Sequence, residues 1–227
     1  MLFRSLKATE RFRISSLEPD LISNDLIRYC AQSRAFMPHF HIPLQSGSDA
    51  VLRLMHRRYD TQLFESKIRL IKQLLPDAFI GVDVIVGMRG ETPEYFEQTY
   101  NFLASLDVTQ LHVFPYSERP GTAALKITPV VDEPTKKQRS ARLLALSEEK
   151  TIGFYERYIG STQVALMEKA SRGRAMHGFT PNYIRVELPA SQALPELDNQ
   201  LVRTRLVGFN HDKSALIAQI DGGECDG

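Results

Sequence analysis

The stretch of sequence that decides the fold is residues 39–49, which read His39-Phe40-His41-Ile42-Pro43-Leu44-Gln45-Ser46-Gly47-Ser48-Asp49. A short apolar strand runs directly into a polar turn, and a helical pattern follows at once. This is one strand-to-helix unit of a parallel α/β structure, in which ligands bind at the carboxyl ends of the strands. Similar units recur around the apolar strands 11–16, 79–86 and 111–116. The sequence therefore predicts part of an enzyme barrel.

The four strands alternate with helices predicted at 21–33, 50–55, 62–75 and 92–106. Their near-continuous apolar character is typical of strands that helices cover, and the alternation favours right-handed βαβ units in a parallel sheet. Four units are too few to close an eight-stranded barrel, and no helix precedes the first strand. We expect the later part of a larger barrel.

The pattern changes after a long helix predicted over 135–158, which Gly160 ends. Short alternating strands separated by Gly and Pro turns follow, at 162–168, 183–188, 201–207 and 215–220. They predict a small antiparallel β-barrel. We therefore expect three parts, which are the barrel part with its long helix at 1–159, the small β-barrel at 160–221 and a tail at 222–227.

The composition is that of a soluble globular protein, with 43% apolar residues, 24% charged residues and a net charge of +1. The small net charge argues against a strong overall attraction to nucleic acid or membrane. Neither a signal peptide nor a transmembrane helix is visible. Cys30 and Cys225 are too few and too far apart for a disulfide framework or a zinc site, so we interpret them as reduced thiols in a cytoplasmic protein.

The first strand ends in Ser15-Ser16-Leu17-Glu18-Pro19. Ser16 and Glu18 suit the hydroxyls of a sugar, or they merely cap the next helix. On the second strand, His39 and His41 share one face. Without a third ligand nearby a metal site is disfavoured, and we expect His41 to lie in the barrel interior beside a ligand.

The turn after the second strand contains Gln45, Ser46 and Ser48 around Gly47. Gly47 permits a close approach of the backbone, and the serine hydroxyls are donors to an anion. A plain helix N-cap explains the same residues equally well. Both interpretations stay open at this point.

Two further clusters are candidates for ligand contacts. Ile85 and Gly87, at the end of the third strand, suit a planar base, although a buried strand followed by a turn glycine also accounts for them. Arg57 and Arg58 suit a carboxylate, or they form a solvated helix end. A basic run on the long helix is interpreted as a solvated face; it comprises Lys136, Lys137, Arg139 and Arg142.

Four motifs are together far more specific than any one alone: HFHIPLQSGSD (39–49), LMHRRY (54–59), GVDVIVGMRGET (81–92) and LHVFPYSERPGTAA (111–124). They resemble the radical S-adenosylmethionine methylthiotransferases. The order RFRISSLEP (11–19), HFHIPLQSGS, VDVIVG and YSERPGTAA resembles the branch that acts on N6-threonylcarbamoyladenosine in tRNA. The resemblance covers nearly the whole chain, and residues 160–220 are similar to the TRAM domain, a small β-barrel that holds RNA. It implies the C-terminal part of a (β/α)6 radical barrel followed by that domain.

The resemblance implies two 4Fe-4S clusters in full-length members, one in an N-terminal domain and one on a C-x-x-x-C-x-x-C loop of the radical barrel. This chain has no such loop. We therefore expect the C-terminal half of such an enzyme, lacking the N-terminal half, with no metal ligand or catalytic residue of its own and inactive alone. The full-length protein is expected to be a monomer.

The resemblance also implies the residues that bind S-adenosylmethionine. They are Ser16 and Glu18 beside its methionine and ribose, His41, Gln45, Ser46 and Ser48 at the next strand end, Ile85 and Gly87 beside its adenine, and Arg57 or Arg58 on its carboxylate. Asp83 stands where the motif G-x-I-x-G-x-x-x-E has its first glycine, and Glu91, its last residue, is expected to order the turn.

The expected partner is a tRNA anticodon stem-loop. The small β-barrel is expected to bind it through Arg172, Arg174, Phe179, Tyr183, Arg185, Arg203 and Arg205. Phe179 suits a stacking platform and a small core equally. The alternatives are a stand-alone RNA-binding module and a sister methylthiotransferase that acts on isopentenyladenosine in tRNA or on a ribosomal protein. An aldolase-like barrel would need a reactive lysine at a strand end, and none of the four strands offers one.

Overall fold

The computed structural model describes residues 11–171 and 173–221. The chain divides into two compact units, Met1–Lys150 and Thr151–Gly227. The boundary between them falls inside a continuous helix, earlier than the boundary after residue 159 expected from the sequence.

The first unit alternates strands and helices. Its elements are β1 (Phe12–Ile14), α1 (Asn24–Gln32), β2 (Phe36–Gln45), α2 (Asp49–Leu54), α3 (Thr61–Leu74), β3 (Phe79–Val86), α4 (Pro93–Ser105), β4 (Gln110–Pro115), a short 3₁₀ helix (Ala123–Lys126) and α5 (Glu133–Glu156), whose last residues belong to the second unit. The four strands form one sheet in the order β1-β2-β3-β4, and every neighbouring pair is parallel. The α/β class and the parallel sheet are thereby confirmed.

Local signals explain where the helices begin. The hydroxyl of Thr92 accepts a hydrogen bond from the backbone N–H of Tyr95, and Pro93 occupies the first helical position of α4, where its missing N–H costs nothing. The side chain of Asp60 caps α3 in the same way. These caps fix the helix starts immediately after the polar turns.

The core of the first unit lies on one face of the sheet. On β3, Ile80, Val82, Val84 and Val86 are fully buried, and they share a cluster with helix residues such as Phe64 and others from α1, α4 and α5. The alternate residues of each strand point to the opposite face. We call this opposite face of the sheet, which carries His41, Asp83, Ile85 and His112, the inner face.

The second unit is a closed five-stranded barrel. Its strands are β5 (Thr162–Met167), β6 (Met176–Phe179), β7 (Arg185–Leu188), β8 (Leu201–Phe209) and β9 (Leu216–Ile220), with a 3₁₀ turn at Pro195–Leu197, in the order β5-β6-β7-β9-β8. The β-barrel is confirmed, but the β7–β9 pair is parallel, so the barrel is not wholly antiparallel. The strand β6 was not predicted from the sequence.

The end of α5 packs on the barrel of its own unit. The hydroxyl of Tyr155 accepts a hydrogen bond from the backbone N–H of Arg185 at 3.1 Å, and its ring stacks on Phe209.

None of the helices in the described part of the chain combines the length and the apolar character that a membrane span requires.

Candidate functional site

The inner face carries a linked set of polar side chains. The Asp83 carboxylate lies 2.6 Å from Nε2 of His41, and the hydroxyl of Ser16 lies 3.5 Å from Nδ1 of the same ring. The rings of His41 and His112 are 5.0 Å apart, and burial lowers the pKa of His112. Three strands therefore contribute to one partly buried polar cluster.

A second contact brings Arg57 to the end of β1. Its Nη1 donates to Oε1 of Glu18 at 2.9 Å. The hydroxyl of Tyr59 donates to the carbonyls of Pro43 and Leu44, at 3.3 and 3.2 Å, which ties this segment to the end of β2. Arg58 is exposed. The structure thus separates the two adjacent arginines, since Arg57 is held at the strand ends and Arg58 is not. Tyr59 was not predicted, because its partners are not local in sequence.

The turn after β2 packs against α4. Ser46 and Ser48 are buried; the hydroxyl of Ser46 lies 3.2 Å from that of Thr99, and the hydroxyl of Ser48 donates to Gln98 at 2.8 Å. Both serine hydroxyls are therefore engaged inside the protein. Gln45 is partly exposed and has a positive φ of 70°, and a cofactor contact from this turn stays a prediction.

The turn after β3 is held by a hydrogen bond between two of its own residues, Gly87 and Glu91. Gly87 has a φ of +76°, and its N–H donates to Oε1 of Glu91 at 2.9 Å. Arg139 donates to the same oxygen at 2.5 Å and to the backbone carbonyl of Glu91. Burial raises the pKa of Glu91, although the Gly87 N–H and Arg139 act in the opposite direction. This geometry agrees with the expectation that Glu91 orders the turn.

The interpretation of the basic run on α5 as a solvated face is wrong for two of its members. Lys136 and Arg139 are only 5% and 6% exposed. The stem of Lys136 packs over Gly87, and its ammonium donates to Glu133 and to the carbonyl of Tyr116. Long cationic side chains bury their stems when carboxylate or carbonyl partners are within reach. Glu133 is three residues from Lys136, but Tyr116 lies 20 residues from Lys136, and Glu91, the partner of Arg139, lies 48 residues away. Lys137 is exposed, and Arg142 pairs with Glu97.

A cavity of about 800 Å³ opens at the carboxyl ends of β3 and β4. Apolar and aromatic side chains form one wall, including Ile85, Phe114 and Tyr116. Three arginines also line it, namely Arg53, Arg57 and Arg119, and none of the described lining residues is acidic. Its size is that of a small-molecule site. Sequence reasoning missed Phe114, Tyr116 and Arg119, although all three belong to the motif LHVFPYSERPGTAA.

One wall of the cavity belongs to the segment 117–127, which contains a single 3₁₀ turn. Arg89 holds this segment at two points. Its Nε donates to Oε1 of Glu118 and its Nη1 donates to the carbonyl of Leu125, both at 2.6 Å. The hydrogen bond from Arg89 lowers the pKa of Glu118.

On the second unit, Phe179 and Tyr183 stack on each other, with ring centroids 4.7 Å apart and planes 16° apart. Both rings are half-buried, while Met176 and Gly178 on the same strand β6 are buried. Of the two alternatives for Phe179, the structure therefore places it on the outer surface and not in the barrel core.

The predicted arginines of the barrel differ in exposure. Arg174 and Arg205 are exposed, Arg185 is half-buried, and Arg203 is exposed beside Asp221, with 3.2 Å between Nε and Oδ2. Arg172 lies outside the described residues. The outer surface of the barrel thus offers aromatic faces and cationic groups.

Within the described ranges, no group of three or more His, Cys, Asp or Glu residues is arranged to hold a metal ion. Cys30 is buried, and burial raises the pKa of its thiol to about 11, so it is not a thiolate at neutral pH. Cys225 lies outside the described residues. The residues that the structure describes therefore do not fit an iron–sulfur cluster, which needs several thiolates.

Comparison with known proteins decides the family. Residues 2–103 match the model of the radical SAM superfamily. This part of the chain belongs to the radical SAM superfamily. The polar strand ends and the cavity described above lie mainly within and just after the matched radical SAM region.

Curated relatives extend the similarity to the rest of the chain. Threonylcarbamoyladenosine tRNA methylthiotransferase MtaB of Bacillus subtilis is 32% identical over 95% of this chain and 49% of its own length, and MtaB of Aquifex aeolicus is 34% identical over 87% and 47%. The tRNA-2-methylthio-N(6)-dimethylallyladenosine synthase of Desulfotalea psychrophila is 35% identical over 81% and 42%. The resemblance to radical SAM methylthiotransferases is confirmed, and the chain spans about half the length of these relatives.

Proposed function

We propose that this chain is part of a tRNA methylthiotransferase that modifies carbon 2 of N6-threonylcarbamoyladenosine next to the anticodon. The observation that carries the proposal is the cavity at the carboxyl ends of β3 and β4, lined by Ile85, aromatic rings and arginines. It lies where α/β enzymes bind ligands, in a chain similar to enzymes named for this reaction.

Three residues are proposed to hold S-adenosylmethionine, which supplies a carbon radical when it is cleaved. Ile85 offers an apolar surface to the adenine, and Arg57 offers its guanidinium to the carboxylate. Glu18 orients Arg57 through their 2.9 Å contact and has a second carboxylate oxygen for a ribose hydroxyl. Arg57 is favoured over Arg58 because Arg57 lines the cavity and Arg58 does not.

No step is assigned to the iron–sulfur clusters of the family, because the described residues do not fit them. The contribution proposed for this chain is to bind and orient the cofactor and the substrate. On the barrel, stacking by Phe179 and Tyr183 together with phosphate contacts from Arg174 and Arg203 is proposed to hold the anticodon stem-loop.

Expression of the complete gene in a bacterium without its own tRNA methylthiotransferase genes tests the reaction. Mass spectrometry of the nucleosides from digested tRNA should show the 2-methylthio derivative of threonylcarbamoyladenosine, which an empty vector does not yield. Arg57→Gln should abolish this product and Arg58→Gln should retain it. A methylthio group on dimethylallyladenosine instead would refute the branch, and neither product would refute the reaction.

A second candidate is RNA binding by the barrel alone. It is favoured by the closed topology of the barrel, whose strands pair all the way round, and by its own buried side chains. This candidate predicts anticodon stem-loop binding by the complete protein without any methylthiolated nucleoside.

A further inference from the structure

Two of the three arginines at the cavity carry charge that no carboxylate in the described part of the chain offsets. Arg57 is paired with Glu18. For the side chains of Arg53 and Arg119, the structure shows neither an ion pair nor a hydrogen bond to any described residue, and both side chains are exposed at the cavity. Because none of the lining residues that the structure describes is acidic, this part of the cavity favours an anion.

The remainder of the lining suits a planar ring. Phe114 is 51% exposed although it is a large apolar side chain, and it lies on the inner face beside Ile85 and Tyr116. An exposed aromatic residue at a concave site is a typical contact for a ring of a ligand. The cavity thus combines a stacking wall with unpaired guanidinium groups.

The relatives act on adenosines with two chemically opposite N6 substituents. A threonylcarbamoyl group ends in a carboxylate and a hydroxyl, whereas a dimethylallyl group is purely apolar. Guanidinium groups bind carboxylates through charge-assisted, often bidentate, hydrogen bonds. An apolar substituent bound against those donors would exclude water from them without replacing its hydrogen bonds, which costs free energy. The lining therefore distinguishes the two substituents.

We propose that Arg53 and Arg119 bind the carboxylate of the threonylcarbamoyl group and so select the acidic substrate over the alkyl one. This inference rests on the proposed function. It differs from the cofactor contact proposed for Arg57, which has the carboxylate of Glu18 beside it, because the methionine end of S-adenosylmethionine carries an ammonium group beside its carboxylate and a sulfonium close by. The part of the lining around Arg53 and Arg119, which has no acidic residue among the described lining residues, matches a substituent whose amino group is acylated and uncharged.

Binding of free nucleosides to this chain tests the proposal. The probes are N6-threonylcarbamoyladenosine, its methyl ester, N6-dimethylallyladenosine and S-adenosylmethionine, titrated with detection by NMR. The acid should bind at least about tenfold more tightly than its neutral ester or the alkyl nucleoside, as expected for loss of a charge-assisted contact. The double variant Arg53→Gln with Arg119→Gln should lose this preference for the acid. A double variant with Arg53→Gln and Arg119→Lys should keep part of the preference, because the lysine retains the positive charge.

Arg34→Gln is the matched control, because Arg34 is an exposed arginine of the same unit that does not line the cavity. It should bind the acid as the unaltered chain does, and circular dichroism should show all variants folded. Equal binding of acid and ester, no saturable binding of the acid, or displacement of the acid by a lower concentration of S-adenosylmethionine would each overturn the proposal.

The same substitutions in the complete enzyme test this inference separately from the proposed function on which it rests. Unaltered methylthiolation of threonylcarbamoyladenosine by the double variant would refute the carboxylate contact and leave the reaction standing. If the unsubstituted enzyme does not methylthiolate threonylcarbamoyladenosine, the proposed function itself fails. If the unsubstituted enzyme methylthiolates threonylcarbamoyladenosine and the double variant does not, the result supports both the proposed function and the carboxylate contact.

Discussion

Asp83 accepts a 2.6 Å hydrogen bond from Nε2 of His41 across the neighbouring strands β3 and β2. Both side chains are partly buried, 18% and 26% exposed. The contact explains what an aspartate does where the family motif has its first glycine. It fills the inner face with a charged group that fixes the orientation of the His41 ring, which also lies beside Ser16 and His112.

Replacing Asp83 with Asn should therefore lower the free energy of unfolding by about 1–2 kcal/mol, as for loss of a partly buried charged hydrogen bond. Urea unfolding followed by circular dichroism measures it. Asp25→Asn is the control, because Asp25 is almost fully exposed and lies 3.6 Å from Arg28, so its loss should be close to neutral. Equal effects of the two substitutions would contradict this role of Asp83.

Removing the Glu91 carboxylate should be far more damaging. Glu91→Ala leaves the buried Arg139 guanidinium without its carboxylate and the Gly87 N–H without an acceptor. We expect a loss of about 3–5 kcal/mol. Glu97→Ala removes a carboxylate from an exposed pair with Arg142 and should cost less than about 1 kcal/mol. A Glu91 variant as stable as the Glu97 variant would show that the turn does not depend on this pair.

Stability should fall as the pH drops from about 6.5 towards 4, in part because of His39. Burial, with the nearby charges of Arg13 and His41, lowers the pKa of His39 from 6.5 to about 4. In this interval the unfolded chain binds a proton that the folded chain does not, so the contribution is fully present above the unfolded pKa and is lost on acidification.

Changing His39 to Phe removes that titration and keeps a ring to stack on Phe79. The urea midpoint should then change less between pH 7 and pH 5 than in the unaltered chain. His211→Phe alters an exposed histidine and should keep the original pH dependence. NMR titration of the ring protons gives an independent readout; a His39 signal that titrates near pH 6.5 would disprove the shift.

Gly47 should not tolerate a methyl group. A Cβ at this position would lie 2.9 Å from Cα and 3.1 Å from the carbonyl oxygen of Thr99, both backbone atoms of α4. We expect Gly47→Ala to cost about 1–3 kcal/mol through overpacking. Gly153→Ala adds the same group within α5, where a Cβ would meet no atom within 4 Å apart from the backbone of its own helix, and should stabilise that helix by up to about 1 kcal/mol. Thermal unfolding that shows the same sign for both would contradict the close approach.

The outer surface of the barrel should bind an anticodon stem-loop in a salt-dependent manner. Phe179→Ala should weaken binding by about tenfold or more through lost stacking. Arg203→Gln should also weaken binding. It should reduce the slope of log affinity against log salt concentration by the amount expected for the loss of about one phosphate contact. Lys137→Gln is the control, an exposed cation on α5. If Lys137→Gln weakens binding and the barrel variants do not, the RNA contact lies on α5 instead.

Elements with strong local signals could be predicted from the sequence. The predicted and observed bounds of β3 (Phe79–Val86) agree at both ends, because an apolar run that only Asp83 interrupts is bounded by Pro76-Asp77 and Gly87. The strand β6 could not, because Gly178 in its interior resembles a strand breaker. In the barrel this glycine allows β5 to approach, since a Cβ would lie 2.5 Å from the carbonyl oxygen of Leu166.

The candidate site was predictable in its strand ends but not in its partners. The motifs locate Glu18 and Ile85, yet they do not show that Arg57 reaches Glu18 or that Arg139 reaches Glu91, 48 residues away. Such pairs depend on how elements meet in the fold. For the same reason Lys136 and Arg139 look solvated in the sequence and are buried in the protein.

One side of the cavity depends on only two side-chain contacts. The parallel sheet holds its strands through backbone hydrogen bonds, whereas the 117–127 segment is held by the hydrogen bonds of Arg89 to Glu118 and to the carbonyl of Leu125. Sequence changes in that segment alter the volume and charge of the cavity while the strands keep their register. The shape of the proposed binding site can therefore change without any change in the strand order of the sheet.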